Sequence, residues 1–123
     1  TLFAYSKTIC NEAIERYAHK SLNRECEPYD TYILKGRCFF NLKKYSEAIT
    51  QFNKYFSKAN VELKKENSGT EHTVDFRNMS QAYYFRGLSK IALKNKQSGC
   101  EDLSKSGELG YSEAYEAIQD KCN

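Results

Sequence analysis

The sequence predicts an all-α protein built of antiparallel helix hairpins, and three observations carry that prediction. Apolar residues recur at steps of three and four through most of the chain, the spacing that lines one face of a helix. Only 1 proline occurs in 123 residues, so long helices go largely uninterrupted. No segment alternates apolar and polar residues between turn signals, as a half-buried strand would.

The first predicted helix, Thr1 to Leu22, carries Leu2, Tyr5, Ile9, Ala13 and Tyr17 on one stripe. Pro28 ends the break that follows it, and Asp30 is placed to cap a second helix reaching Leu42. A short turn leads to Ser46, the expected cap of a third helix, with Glu47 favourable in its first turn. That helix carries Ala48, Ile49, Phe52, Tyr55, Phe56, Ala59 and Leu63, a pattern continuing to about Glu66. After the break around Ser68–Gly69, a fourth helix is expected from Thr73, with Phe76, Met79, Tyr83, Gly87 and Ile91 on one face. A fifth should run from Ser98 to Leu109; Gly110 stops it, and Ser112 caps a last helix ending near Cys122.

Two of these helices hold a glycine at their centre, at a local cost of about 1 kcal/mol relative to alanine. The stretches Thr31–Lys43 and Ala82–Lys94 share Tyr32/Tyr83, Lys35/Arg86, Gly36/Gly87, Leu42/Leu93 and Lys43/Lys94 in one frame. One structural unit is used twice. In an antiparallel pair a small residue lets the partner helix approach closely, so each glycine should touch a neighbouring helix.

Length and composition bound the function. A chain of 123 residues suits one domain, and 40% hydrophobic with 28% charged residues excludes a disordered tail. No apolar run approaches the ~20 residues of a membrane span, so no membrane insertion is expected. The net charge of +3 is mild and lysines alternate with glutamates, which reads as a solvated helical surface rather than a nucleic-acid interface. The chain starts at Thr1 rather than Met, so loss of a leader or preceding segment is expected. Its 2 histidines offer only a surface pair, Glu15/His19, and a turn pair, Glu71–His72. There is no Cys-x2-Cys frame and no glycine-rich phosphate loop. No catalytic residue, metal or cofactor is expected, and the chain is not expected to be an enzyme.

Tyr32, Gly36, Phe39, Tyr45, Ala48 and Phe52 fall at the spacing of the tetratricopeptide repeat, which the chain resembles. Lys35 departs from the leucine of that pattern. Tyr83, Gly87, Gly99 and Leu103 make a weaker second match, with Arg86 and Lys90 departing. The two glycines lie 51 residues apart, 17 beyond the repeat's period of 34, so two lengthened helices are expected between the units. The resemblance implies a short right-handed superhelical array with a C-terminal capping helix. It divides the single domain into an N-terminal helix and loop (1–29), a first repeat (30–60), a lengthened hairpin (61–80), a second repeat (81–110) and the cap (111–123). The final stretch also resembles Sel1-like repeats.

The resemblance further implies a module for protein interaction or scaffolding that binds a peptide or partner protein on its concave face. The family's contact positions fall on Ile33, Arg37, Phe40 and Asn41, and on Tyr84, Leu88 and Ile91. The lysine and asparagine clamp that some members use for a terminal carboxylate is not reproduced, so an apolar segment is expected, with Arg37 pairing an acid. The alternative is a small-ligand or enzymatic helical domain with the lengthened hairpin as a pocket wall.

Of the 5 cysteines, Cys100 and Cys122 are equidistant from Tyr111, at the turn between the last two helices. Residues equidistant from the turn of an antiparallel hairpin lie side by side, so a disulfide is expected there. Cys10 and Cys38 fail the same condition, and Cys38 occupies a small buried position. Such a bonded hairpin resembles the C-terminal unit of exported repeat proteins of Gram-negative bacteria. A periplasmic or cell-surface location follows if the bond exists, and a cytoplasmic one otherwise.

Overall fold

The computed structural model describes residues 29–67 and 76–123. They form α1 (Tyr29–Asn41), α2 (Tyr45–Asn67), α3 (Phe76–Ala92), α4 (Lys96–Glu108) and α5 (Glu113–Lys121), with no strand among the described residues. The expected all-α chain of hairpins is therefore what folds. The expectations for Thr1–Leu22, Cys10, Pro28, both histidines, the break near Ser68–Gly69 and a helix start at Thr73 lie outside the described residues. At 23 residues against 13, α2 is about 34 Å long where α1 is about 20 Å. It runs well past its partner, as the apolar pattern predicts.

All three described turns close the same way. Lys43 donates its amide to the Phe40 carbonyl and Lys44 to the Phe39 carbonyl; Lys94 and Asn95 repeat this with Ile91 and Lys90, and Gly110 and Tyr111 with Gly107 and Ser106. This nested pair of bonds satisfies the last helical carbonyls and needs a left-handed residue just past the helix. Gly110 takes it at φ 102, but Lys43 takes it at φ 62 and Lys94 at φ 72. For a residue with a Cβ that conformation costs roughly 1 kcal/mol.

The caps differ from expectation. The Ala48 amide donates to the Lys44 carbonyl and the Gly99 amide to the Asn95 carbonyl, so Lys44 and Asn95 are the caps. Ser46 therefore lies inside α2, and α4 starts two residues before Ser98. Similarly, α1 begins ahead of Asp30. Ser112 does hold the cap position of α5, but its hydroxyl donates to the Glu113 carboxylate and accepts no helix amide.

Helix α1 packs on α2 and α3, α3 packs on α2 and α4, and α5 packs on α4. Ile33, Ala48, Phe52, Tyr55, Ala59, Met79 and Ala82 form the buried apolar cluster, flanked by Phe39, Phe56 and Phe85. Both central glycines make the expected close contact. A Cβ at Gly36 would lie 2.5 Å from the Phe52 ring, and one at Gly87 would lie 2.7 Å from the Gly99 carbonyl oxygen.

Candidate functional site

The seven predicted contact residues do not stay together. Ile33 is corrected to a core residue: it is 5% exposed, inside the cluster around Phe52. Asn41 is exposed at the end of α1. The remaining five gather with residues of α5 and its preceding turn. Phe40 meets Tyr45 and Phe85 edge-on, at 5.7 and 5.2 Å between ring centroids. Tyr84 meets Phe85 at 5.0 Å and Tyr111 at 4.7 Å, so one aromatic run crosses from α1 over α3 to the turn before α5. Arg37 lies along it, its guanidinium 5.2 Å from the Phe85 ring centroid and donating to Gln81 Oε1 at 3.4 Å. Phe40, Leu88 and Ile91, with Tyr45, Ala92 and Lys121, enclose a small cleft of 160 Å³.

Burial pushes the Tyr84 phenol up from its ordinary value, and Tyr111, Glu113 and Glu116 push the same way. Burial and Glu113 likewise raise Tyr111, against the lowering effect of Arg37. Both hydroxyls are thus protonated at neutral pH. The face offers neutral hydrogen-bonding tips and one guanidinium over an apolar floor, which suits binding a mixed apolar and polar surface.

Tyr45, Tyr111 and Lys121 complete this face but are not among the predicted contacts. A signal for the first was present. Phe40 and Ile91 are 51 residues apart, the offset of the two glycines, so the two turns beside them should abut.

A second polar centre explains where the second unit leaves the repeat pattern. Arg86 and Lys90, standing for a leucine and an aromatic, both reach Asp102, which is 3% exposed. Arg86 binds it through Nε at 2.8 Å and Nη2 at 2.9 Å, and Lys90 Nζ lies 3.0 Å away. Arg86 Nη1 also donates to Asn53 Oδ1 at 2.9 Å, Lys90 to Ser98 at 2.9 Å, and the guanidinium covers the Phe56 ring at 4.4 Å. These groups are committed to one another, linking α2, α3 and α4. Among the described residues no His, Cys, Asp or Glu group could hold a metal, and no helix is long and apolar enough to cross a membrane.

The sulfurs of Cys100 and Cys122 lie 2.08 Å apart, with a Cα separation of 6.0 Å, within the range a disulfide requires. The bond ties the end of α5 to the start of α4. No family model, curated protein or solved structure matches this chain.

Proposed function

We propose that this chain is a protein-interaction or scaffolding module, a short tetratricopeptide-like array that holds a peptide or partner protein against α1, α3 and α5. The observation that carries this reading is the aromatic run Phe40–Phe85–Tyr84–Tyr111, flanked by Arg37 and leading into the Phe40/Leu88/Ile91 cleft. Rigid aromatic anchors beside one guanidinium are the groups that dominate binding energy at protein interfaces. The contact set is accordingly Arg37, Phe40, Tyr84, Leu88 and Ile91, with Tyr111 added. The Cys100–Cys122 bond fits an oxidising location, periplasmic or at the cell surface.

The test is quantitative affinity capture with the purified protein and its Arg37→Ala and Tyr84→Ala variants. Loss of the same captured partner with both variants supports the reading. Capture unchanged by both substitutions removes this face from the function.

A further inference from the structure

We propose that the cleft where the C-terminal ends of α1, α3 and α5 meet docks an acidic segment carrying one bulky apolar side chain, with Lys43, Lys94 and Lys121 reading its charge. This rests on the interaction-module reading and adds the partner's chemistry to it. The walls supplied by Phe40, Tyr45, Leu88, Ile91 and Ala92 are apolar or aromatic, and 160 Å³ holds one aliphatic or aromatic side chain rather than a length of backbone. The rim is cationic. Lys121 lines the cleft itself. The Lys43 amide is bonded to the carbonyl of Phe40, and that of Lys94 to the carbonyl of Ile91, so each lysine is tied to a wall residue. Both lysines are exposed, with Lys44 and Lys96 exposed beside them.

The backbone supplies an independent observation. Lys43 and Lys94 both hold the left-handed position of their turns, where glycine relieves the conformation, as Gly110 does in the third turn. What lysine adds at these two positions is its charged side chain, twice, each time in a turn whose backbone is bonded to a wall residue of the cleft. The acids beside the lysines are Glu47, exposed in the first turn of α2, and Asp120, 3.6 Å from Lys121 in an exposed pair; Glu113 and Glu116 lie in the first turn of α5, where they act on Tyr84 and Tyr111 rather than at the Lys121 end. Such a pair is weak in water and yields to a ligand carboxylate. A basic segment would meet the lysines, and an inorganic anion would leave the apolar walls unfilled. Helix C-termini also attract cations, and that role makes a different prediction when the lysines are removed.

The experiment is fluorescence anisotropy with a labelled peptide of glutamates around one leucine. Two control peptides replace the leucine by serine or the glutamates by lysine. The protein is used unaltered and as the Lys43→Gly/Lys94→Gly double variant, which relaxes both turns and so keeps the fold. The acidic leucine peptide should bind, weaken with rising salt, and weaken at least about tenfold with the double variant, while the melting temperature holds or rises. Both control peptides should bind more weakly. Absence of binding by the acidic leucine peptide overturns the proposal, as does equal binding of the basic peptide or undiminished binding by the double variant. A melting temperature that falls in the double variant while binding is unchanged assigns the lysines to the helix ends and also overturns it. Partner capture that still depends on Arg37 and Tyr84 while the peptide fails would discard this partner class and leave the interaction module standing.

Discussion

Between α1 and α2, Gly36 receives the ring of Phe52, and Ile33, Ala48, Tyr55 and Ala59 close around it. Between α3 and α4 the close approach is backbone on backbone, with Gly87 and Gly99 each facing the other's carbonyl oxygen. The two backbones leave no room for a side chain between the glycines themselves, and Ile91, Asp102 and Leu103 pack beside them. The second hairpin accordingly buries Ser80, Ser89, Asp102 and Ser106, and the fully buried Leu103 is the large apolar group α4 contributes. Every one of those polar groups is answered. Ser80 donates to the Arg77 carbonyl and Ser89 to the Phe85 carbonyl, while Ser106 donates across the seam to the Ser80 carbonyl at 2.7 Å. Helix α3 serves both interiors, giving Met79 and Ala82 to the apolar cluster and its glycine, serines and Arg86 to the polar one. One sequence frame thus supports two kinds of packing. The first hairpin should be sensitive to changes of size, and the second to deletion of a polar partner or of its covalent tie.

The largest expected effect sharpens that contrast. Asp102→Ala leaves Arg86 and Lys90 partly buried without their carboxylate, and removing one partner of a buried network costs about 3–5 kcal/mol. Urea unfolding should show this loss. Replacing Asp102, Arg86 and Lys90 together by leucine or methionine should recover most of it, because the stranded charges go too. A single Asp102→Ala variant within about 0.5 kcal/mol of the parent, the range of ordinary surface substitutions, would break the comparison.

Next is the covalent tie. Helix α5 has only 9 residues and buries Ala114 and Ala117, little area to hold a helix in place. Cleaving the bond that closes this loop should lose about 3 kcal/mol in the chain-entropy account. Thermal unfolding with and without reductant reads the loss. Alkylation followed by mass measurement reads the bond, and modification of all five cysteines without reductant would remove it.

The two glycines give a smaller and more pointed test. Gly87→Ala drives a Cβ against a backbone oxygen that cannot rotate away, whereas Gly36→Ala meets the edge of a ring that can tilt. Both overpack, at about 1–3 kcal/mol, with Gly87→Ala the costlier. The reverse order would mean that the buried Phe52 ring is the stiffer partner and that the second seam can slide.

The helices and their apolar faces were legible because period and glycine placement are local signals. Phe52, Tyr55 and Met79 fell on core faces from spacing and Leu103 from the repeat frame, and all are buried, whereas Phe76, expected on the face of Met79, is 58% exposed at the start of α3. The Cys100–Cys122 contact was legible from symmetry about one turn. The polar interior was not. Arg86 and Lys90 read as departures from a repeat because their partner, Asp102, sits in the next helix, and sequence spacing gives no weight to a pair 16 residues apart. Ile33 was misplaced for a related reason. A contact position carried over from a repeat frame assumes an open face, and here that position closes into the core. The starts of α2 and α4 slipped because Lys44 and Asn95, residues without a serine hydroxyl, are the ones whose carbonyls accept the first helical amides, which leaves Ser46 and Ser98 inside the helices. Tyr111 and Lys121 joined the candidate face only once α5 was positioned.

The smallest expected effect concerns the tyrosine pair at the margin of the second hairpin. Tyr84 and Tyr111 both have phenols raised above the ordinary value, chiefly by burial, so the fold favours their neutral forms. In the unfolded chain they titrate near pH 10. The stability they contribute is therefore complete below about pH 10 and is lost as pH rises through the raised, folded values. Absorbance titration should show two tyrosines ionising later than an unperturbed phenol, and urea midpoints should fall through that alkaline window. The Tyr84→Phe/Tyr111→Phe variant has no phenols to ionise at this contact, so its midpoint should fall less steeply over the same range. An identical slope in the variant would place the alkaline loss elsewhere in the molecule. It would also mean that the Tyr84–Tyr111 contact, with Glu113 and Glu116 beside it, does not hold the edge of the proposed binding face.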